Sequence, residues 1–280
     1  MSYSMNAIYR EVGISKQAVA QYERRQLVFH SQLTQLMAEA DELREEHPGC
    51  GVKKMYETLS PDFMGRDRFI EVMMELGYRV RRKKNYRKTT SSTAKYYPNL
   101  IKGMKVNGPC QLWQSDTTYI QVGDRFYYAT FIIDVYTKKI VGYKVADNLR
   151  ATANVAALKM ALKHHPAPRI HHSDRGHQYI YSEYTRILRS QGTELSMAKI
   201  AQDNAYAERI NKTIKEEYLN HWKPMDLKQL ISMVNKAVNH YNHKRHHNHL
   251  GKISPVNFEK SLSGINSRKI ITIFNNELVT

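Results

Sequence analysis

Three acidic residues stand where an acid is costly. Asp116 lies inside a strand-like run, Trp113-Gln114-Ser115-Asp116-Thr117-Thr118. Asp174 lies where a short apolar stretch runs out, in His172-Ser173-Asp174-Arg175-Gly176. Glu208 lies in the first half of a helical segment that opens Asp203-Asn204-Ala205-Tyr206-Ala207-Glu208. A carboxylate in apolar surroundings is unfavourable unless it is paired or bound to a cation. Several gathered at one place repel one another, and a divalent cation removes that repulsion; hard oxygen ligands suit Mg²⁺ or Mn²⁺. Two such ions can activate a water or a 3′-hydroxyl and stabilise the leaving oxygen of an in-line phosphoryl transfer. Taken singly, each acid is better read as a cap, a turn or an ion-pair residue. Asp124, Asp134, Asp147 and Asp203 are read that way: turn, strand end, strand end and helix cap.

The charge balance supplies a partner for that chemistry. In 280 residues, 43 Lys and Arg face 26 Asp and Glu, a formal net charge of +17. Such a charge speaks about partners, and the usual polyanion is nucleic acid, whose phosphates bind Lys and Arg with release of counterions. The charge is clustered: no acid occurs between Leu76 and Ser115, a stretch holding Arg79, Arg81, Arg82, Lys83, Lys84, Arg87 and Lys88, then Lys95, Lys102 and Lys105. Tyr78, Tyr86, Tyr96 and Tyr97 are interleaved with them, as a backbone groove with stacking platforms requires. Two cysteines cannot make a disulfide framework or a four-thiolate zinc site, and a reducing compartment fits. No stretch approaches the roughly 18 apolar residues of a membrane span, and the N-terminus has no apolar signal segment.

The elements that must position the acids follow from pattern. Gly13 separates a short helix from one beginning near Ser15, a plausible N-cap, in a helix-turn-helix-like arrangement expected to end near Arg24. Leu33, Leu36, Met37, Ala40 and Leu43 form an amphipathic stripe stopped by Pro48-Gly49. Helices over Val52 to Leu59 and Arg66 to Leu76 follow. From Gln111 the texture changes. Leu112 to Ile120, Phe126 to Val135 and Ile140 to Val145 read as an antiparallel meander. Next come a helix over Ala151 to His164, a strand over Arg169 to His172, a helix over Tyr181 to Gln191 and a strand over Glu194 to Met197. Helices over Asp203 to Leu219 and Asp226 to Tyr241 close the pattern. That order predicts an α/β mixed sheet with helices on its faces, the order of a ribonuclease-H-like core, preceded by a small all-α helix-turn-helix-type region.

At these residues the sequence resembles the OrfB-type transposases of the "insertion sequence three" family, within the DDE transposase and retroviral integrase superfamily. Trp113 to Thr118 resembles the first-aspartate strand, and Phe131 to Tyr143 the second and third strands. His172 to Tyr179 resembles the second-aspartate segment. Asp203 to Glu208, with Lys215 seven positions after the acid, resembles the glutamate helix. Tyr241 to Leu250 and Ser254 to Phe258 resemble the C-terminal signature. The spacing from Asp174 to Glu208 is two residues shorter than is usual in the family, and the shortening falls in Lys199 to Gln202.

The resemblance implies a ribonuclease-H-like core over 108–262. Before it come helical regions over 1–46 and 47–95 and a linker over 96–107; a tail over 263–280 follows. It implies that Asp116, Asp174 and Glu208 are both catalytic and metal-binding, with two Mg²⁺ or Mn²⁺ ions. The expected reaction is 3′-end cleavage at terminal inverted repeats, then joining to target DNA without a covalent protein–DNA intermediate. It further implies double-stranded DNA as partner, a homo-oligomer on paired ends, possible cooperation with an upstream helix-turn-helix protein, and a bacterial cytoplasmic, nucleoid-associated setting. A nuclease that does not join, or a non-catalytic DNA-binding regulator, are the alternatives.

DNA contacts are expected from the basic run Arg79 to Lys88, from Lys212 and Lys215 on the face of Glu208, and from Lys244 and Arg245. The accompanying histidines, His240, His243, His246, His247 and His249, lack cysteines and are read as part of that basic surface rather than as zinc ligands. The region Met1 to Lys88 is expected to supply most of the affinity for DNA ends.

Overall fold

The computed structural model describes residues 5–80, 96–263 and 270–273. The chain forms two compact units, one over Met1–Glu46 and Cys50–Val80, the other over His47–Gly49 and Arg81–Thr280.

The first unit is helical: α1 (Met5–Val12), α2 (Lys16–Glu46), α3 (Val52–Leu59) and α4 (Arg66–Glu75). Gly13, at φ +71°, makes the turn after α1. The Ser15 hydroxyl accepts from the Ala18 amide at 3.1 Å, the expected N-cap. The helix it caps does not stop near Arg24. It runs on for 31 residues, because Arg24 to Glu46 contains no Gly or Pro to break it. The stripe read as a separate helix is its second half: Leu36 and Ala40 pack with Met55, Phe69 and Met73 in the core of this unit.

The second unit is built on a five-stranded sheet. Its strands are β2 (Leu112–Val122), β3 (Arg125–Asp134), β4 (Ile140–Ala146), β5 (Ile170–Ser173) and β6 (Glu194–Met197), in the order β4-β3-β2-β5-β6. The first three form the antiparallel meander; β5 and β6 add in parallel. Parallel neighbours need crossovers, supplied by α5 (Ala151–His164) and α6 (Ser182–Ser190). These cover one face, where Leu158, Ala161 and Leu188 meet Trp113, Ile132 and Val141. α5 approaches closely because position 142 is glycine: a Cβ there would lie 2.3 Å from the Ala157 carbonyl oxygen.

The other face is covered by α7 (Ala205–Ile214) and α9 (Leu227–His243), where Ile210, Ile214, Val234 and Tyr241 meet Phe131, Ile133 and Val145. This is the ribonuclease-H-like mixed sheet that the element order predicts. The helix expected from Asp203 to Leu219 is three pieces: a 3₁₀ turn Ala201–Asn204, then α7, then a π turn Lys215–Leu219, followed by α8 (Asn220–Trp222). A two-stranded sheet of β1 (Lys105–Val106) and β7 (Ile271–Thr272), together with α10 (Pro255–Ser261), completes the unit. Among the described residues no helix is long and apolar enough to cross a membrane.

Candidate active site

Asp116 sits at mid-strand in β2, opposite Phe131 of β3. On the other side β2 pairs in parallel with β5, Ser115 opposite Ser173. The next residue after β5 is Asp174, so the parallel register brings the two aspartates to the same level of the sheet. Asp174 turns out of the strand with its Oδ1 accepting from the Gly176 amide at 3.1 Å. Glu208 lies in the first turns of α7 and is exposed. The site is thus walled by sheet on one side and open to solvent beside the helix.

The start of α7 is fastened to β2. The buried Gln114 side chain donates through Nε2 to the Asp203 carbonyl at 3.2 Å, and its Oε1 accepts from the Tyr206 and Ala207 amides at 3.1 and 3.4 Å. Two of the amides that any helix leaves without an internal partner are thereby satisfied. Asn204 donates through Nδ2 to the Ser115 carbonyl at 3.0 Å. Asn211, three residues beyond Glu208, donates through Nδ2 to Asp116 Oδ2 at 2.7 Å. These bonds fix α7 from within the unit, independently of the length of the preceding loop. Asp203 closes that loop, its Oδ2 accepting from the Lys199 and Ile200 amides at 2.9 and 3.2 Å; it reaches back to the start of the 3₁₀ turn, and the residue at the N-cap of α7 is Asn204.

The three carboxylates act on one another. Burial, then the Asp174 and Glu208 charges, push Asp116 up to about 8, against the opposing bonds from the Thr117 amide and Asn211. Asp174 is raised mainly by burial. Glu208, exposed as a residue, is raised by the partial burial of its carboxyl and by Asp174. This is the repulsion that a divalent cation would relieve, and all-oxygen donors suit Mg²⁺ or Mn²⁺. As they stand the acids do not form a closed shell: among the described residues no three His, Cys, Asp or Glu side chains converge tightly enough to hold an ion.

The other acids separate from this group. Asp134 is buried and accepts from the Cys110 and Thr137 amides and the Thr137 hydroxyl at 2.7 to 3.0 Å, holding a turn. Glu194 is exposed at the start of β6. Glu216 faces Lys212 at 3.9 Å. Glu217 points away to a buried ion pair.

The basic residues divide. Lys215 is half-buried; burial lowers its pKa while the charge of Asp116 opposes the fall. Lys212 and Lys244 are exposed. Arg245 is not on a DNA-facing surface: its side chain is 10% exposed, and its Nε and Nη2 donate to Glu217 at 2.7 and 2.8 Å. His240 is likewise in the core, its Nδ1 3.0 Å from the Tyr218 hydroxyl. Arg79 is exposed at the end of the helical unit. Arg81, Arg82, Lys83, Lys84, Arg87 and Lys88 lie outside the described residues.

Comparison with known proteins agrees with this architecture. The Integrase core domain family matches residues 106–202, and a second Integrase core domain family matches residues 193–255. The "Insertion element IS600 uncharacterized 31 kDa protein" of Shigella sonnei is 35% identical over 205 residues, 70% of this chain and 75% of that protein. The "Transposase for insertion sequence element IS629", also of Shigella sonnei, is 32% identical over 231 residues, 78% of this chain and 76% of that protein. "Transposase InsF for insertion sequence IS3A" of Escherichia coli K12 is 30% identical over 159 residues, 55% of each chain. Among solved structures, the HTLV-2 integrase catalytic core domain in complex with magnesium superposes with a TM-score of 0.46 and 18% identity, over 57% of this chain and 99% of that one. These matches span the sheet and the helices on both its faces, and the chain belongs to the integrase-core DDE transposases of insertion sequences, of the "insertion sequence three" type.

Proposed function

We propose that Asp116, Asp174 and Glu208 are the acids through which this transposase cleaves and joins DNA. The observation that carries the proposal is their electrostatic coupling beside the central strand β2, to which Gln114, Asn204 and Asn211 tie α7 and to which β5 is joined by parallel pairing. Acids held against their own repulsion in one place serve cation binding. They would hold one or two Mg²⁺ or Mn²⁺ ions, which when bound neutralise phosphate charge and lower the pKa of the attacking hydroxyl.

In the first step water attacks the phosphorus at the element end, and the broken phosphodiester leaves a free 3′-hydroxyl. In the second that hydroxyl attacks a target phosphodiester, so one P–O bond forms as another breaks and no protein side chain is esterified. The residues of this chain orient and neutralise: Asn211 holds Asp116, Gln114 holds the helix of Glu208, and Lys215 and Lys212 offer cations to the phosphates beside the acids.

The substrates on this reading are the terminal inverted repeats and target DNA, with paired ends held by two or more copies of the chain. End recognition falls to the N-terminal helices together with the basic stretch after them. A strand-transfer assay with a precut 3′-end tests the reaction. Joined product in Mg²⁺ that disappears in Asp116→Asn, Asp174→Asn and Glu208→Gln supports it. Cleavage without any joined product would identify a nuclease instead, and metal-independent DNA binding without cleavage a regulator.

A further inference from the structure

α7 does not continue as a regular helix. Lys215–Leu219 form one π turn, a rare and strained arrangement that recurs at functional sites. Lys215 opens the turn and senses Asp116. Tyr218 and Leu219 end it, buried in the core.

The turn is held from outside the helix. Gly49, in the tripeptide His47–Gly49 of the same unit, donates its amide to the Glu217 carbonyl oxygen at 2.6 Å. Only glycine fits there: a Cβ would lie 2.3 Å from the Glu217 Cα and 2.7 Å from its carbonyl oxygen. His47 meets the Glu217 carboxylate through Nε2 at 2.7 Å and stacks on Tyr218 with ring centroids 4.9 Å apart. Arg245 grips the same carboxylate with two nitrogens. Glu217 is therefore fixed at backbone and side chain by two distant segments of the chain.

We propose that His47, Gly49 and Arg245 are positioning residues that hold the π turn and through it the setting of Lys215 and Glu208 at the catalytic acids. The inference rests on Glu208 acting as proposed above. The reason is geometric. A π turn contains one residue more than an α turn, and each helical residue advances about 100°. If the turn relaxes to α geometry, α7 must rotate by about that angle relative to Tyr218 and Leu219, and these two are locked in the core. Glu208 and Lys215 would then leave the acids.

The test uses the full chain with a precut DNA end at saturating concentration. Single-turnover joining, DNA affinity without metal, melting temperature and metal-free hydrogen exchange over residues 208–219 are measured together. Gly49→Ala is expected to slow joining roughly ten- to a hundredfold and to speed exchange across 215–219, with DNA affinity unchanged. Gly51→Ala, where a Cβ meets nothing within 4 Å, is expected to match the parent in all four. His47→Phe keeps a ring to stack on Tyr218 and removes the bond to Glu217, so it reports on the clamp even if Gly49→Ala does not fold; a smaller fall in joining with the same split is expected. Parental joining in His47→Phe, or joining in Gly49→Ala that is parental or falls only in step with DNA binding and melting, overturns the clamp. A Glu208→Gln chain that still joins would instead overturn the reading on which it rests.

Discussion

Asn211 reaches from α7 to Asp116 on β2 and donates a 2.7 Å hydrogen bond to Oδ2. Its own Oδ1 is buried and finds no acceptor role among the described residues. The amide favours the charged carboxylate and lowers its pKa against the larger upward push of burial and Asp174. Asn211→Ala is therefore expected to move the acidic limb of the pH–rate profile to higher pH and to weaken Mg²⁺ binding or activity roughly ten- to a hundredfold, as loss of a partner to a metal ligand does. A profile superimposable on that of the parent would show that the bond has no part in setting Asp116.

Three glutamates on the helical run beginning with α7 should behave in three ways. Glu208→Gln is expected to abolish cleavage and joining while DNA binding stays intact or tightens, because a negative charge near phosphate is removed. Glu216→Gln loses only a 3.9 Å surface contact to Lys212 and should keep activity and melting temperature. Glu217→Gln would look equally harmless from sequence, but it leaves Arg245 as a buried charge without its carboxylate, at about 3–5 kcal/mol of stability. Chemical unfolding should show that loss, with slowed but measurable joining well below its melting temperature. A Glu217→Gln protein as stable as Glu216→Gln would refute the buried pair.

Metal binding should depend on pH with a defined sign. Asp116 takes up a proton below about 8, and a cation must displace it. Apparent Mg²⁺ affinity should therefore rise with pH, by about tenfold per unit while one proton is released per ion, and level off above that value. Calorimetry of the metal in buffers of different ionisation enthalpy reads the released proton directly. Affinity that is flat through this range, with no proton released, would contradict the coupling of the acids.

His171 makes acid a threat to the fold. Burial and the neighbouring His172 push it down to about 3 from 6.5, and its Nε2 lies 2.9 Å from the Tyr184 hydroxyl. The unfolded chain takes up a proton below 6.5 while the folded chain resists it. Stability is thus full above 6.5 and is lost as pH falls towards 3, by about 1.4 kcal/mol per unit for this group. Urea unfolding across this window should give a shallower slope for His171→Gln than for the parent. Identical slopes would mean that His171 is protonated in the folded state.

The acids were singled out by their places in the pattern, a strand interior for Asp116, a strand end for Asp174 and a helix start for Glu208, and joined as a set by the family resemblance. The residues that hold them were not. Gln114, Asn204 and Asn211 are neutral, so they leave no trace in charge counts, and their partners are fixed by sheet pairing rather than by spacing. Arg245 was read as basic surface because a local count of charges does not see Glu217, which reaches it only once α9 and the π turn are packed. The π turn itself is silent, since Ile210, Ile214 and Tyr218 keep helical spacing through it. The single long α2 was split in two because its exposed first half has no stripe to continue.

The parallel pairing of β2 with β5 has a consequence for when the protein becomes dangerous to DNA. Asp116 leaves the ribosome early, but its neighbour strand exists only after α5 has been made, and Glu208 only after β6. Any chain that terminates before α7 lacks the third of the proposed acids. On the proposed roles of the acids, the ribosome must therefore pass α7 before there is anything to cut with.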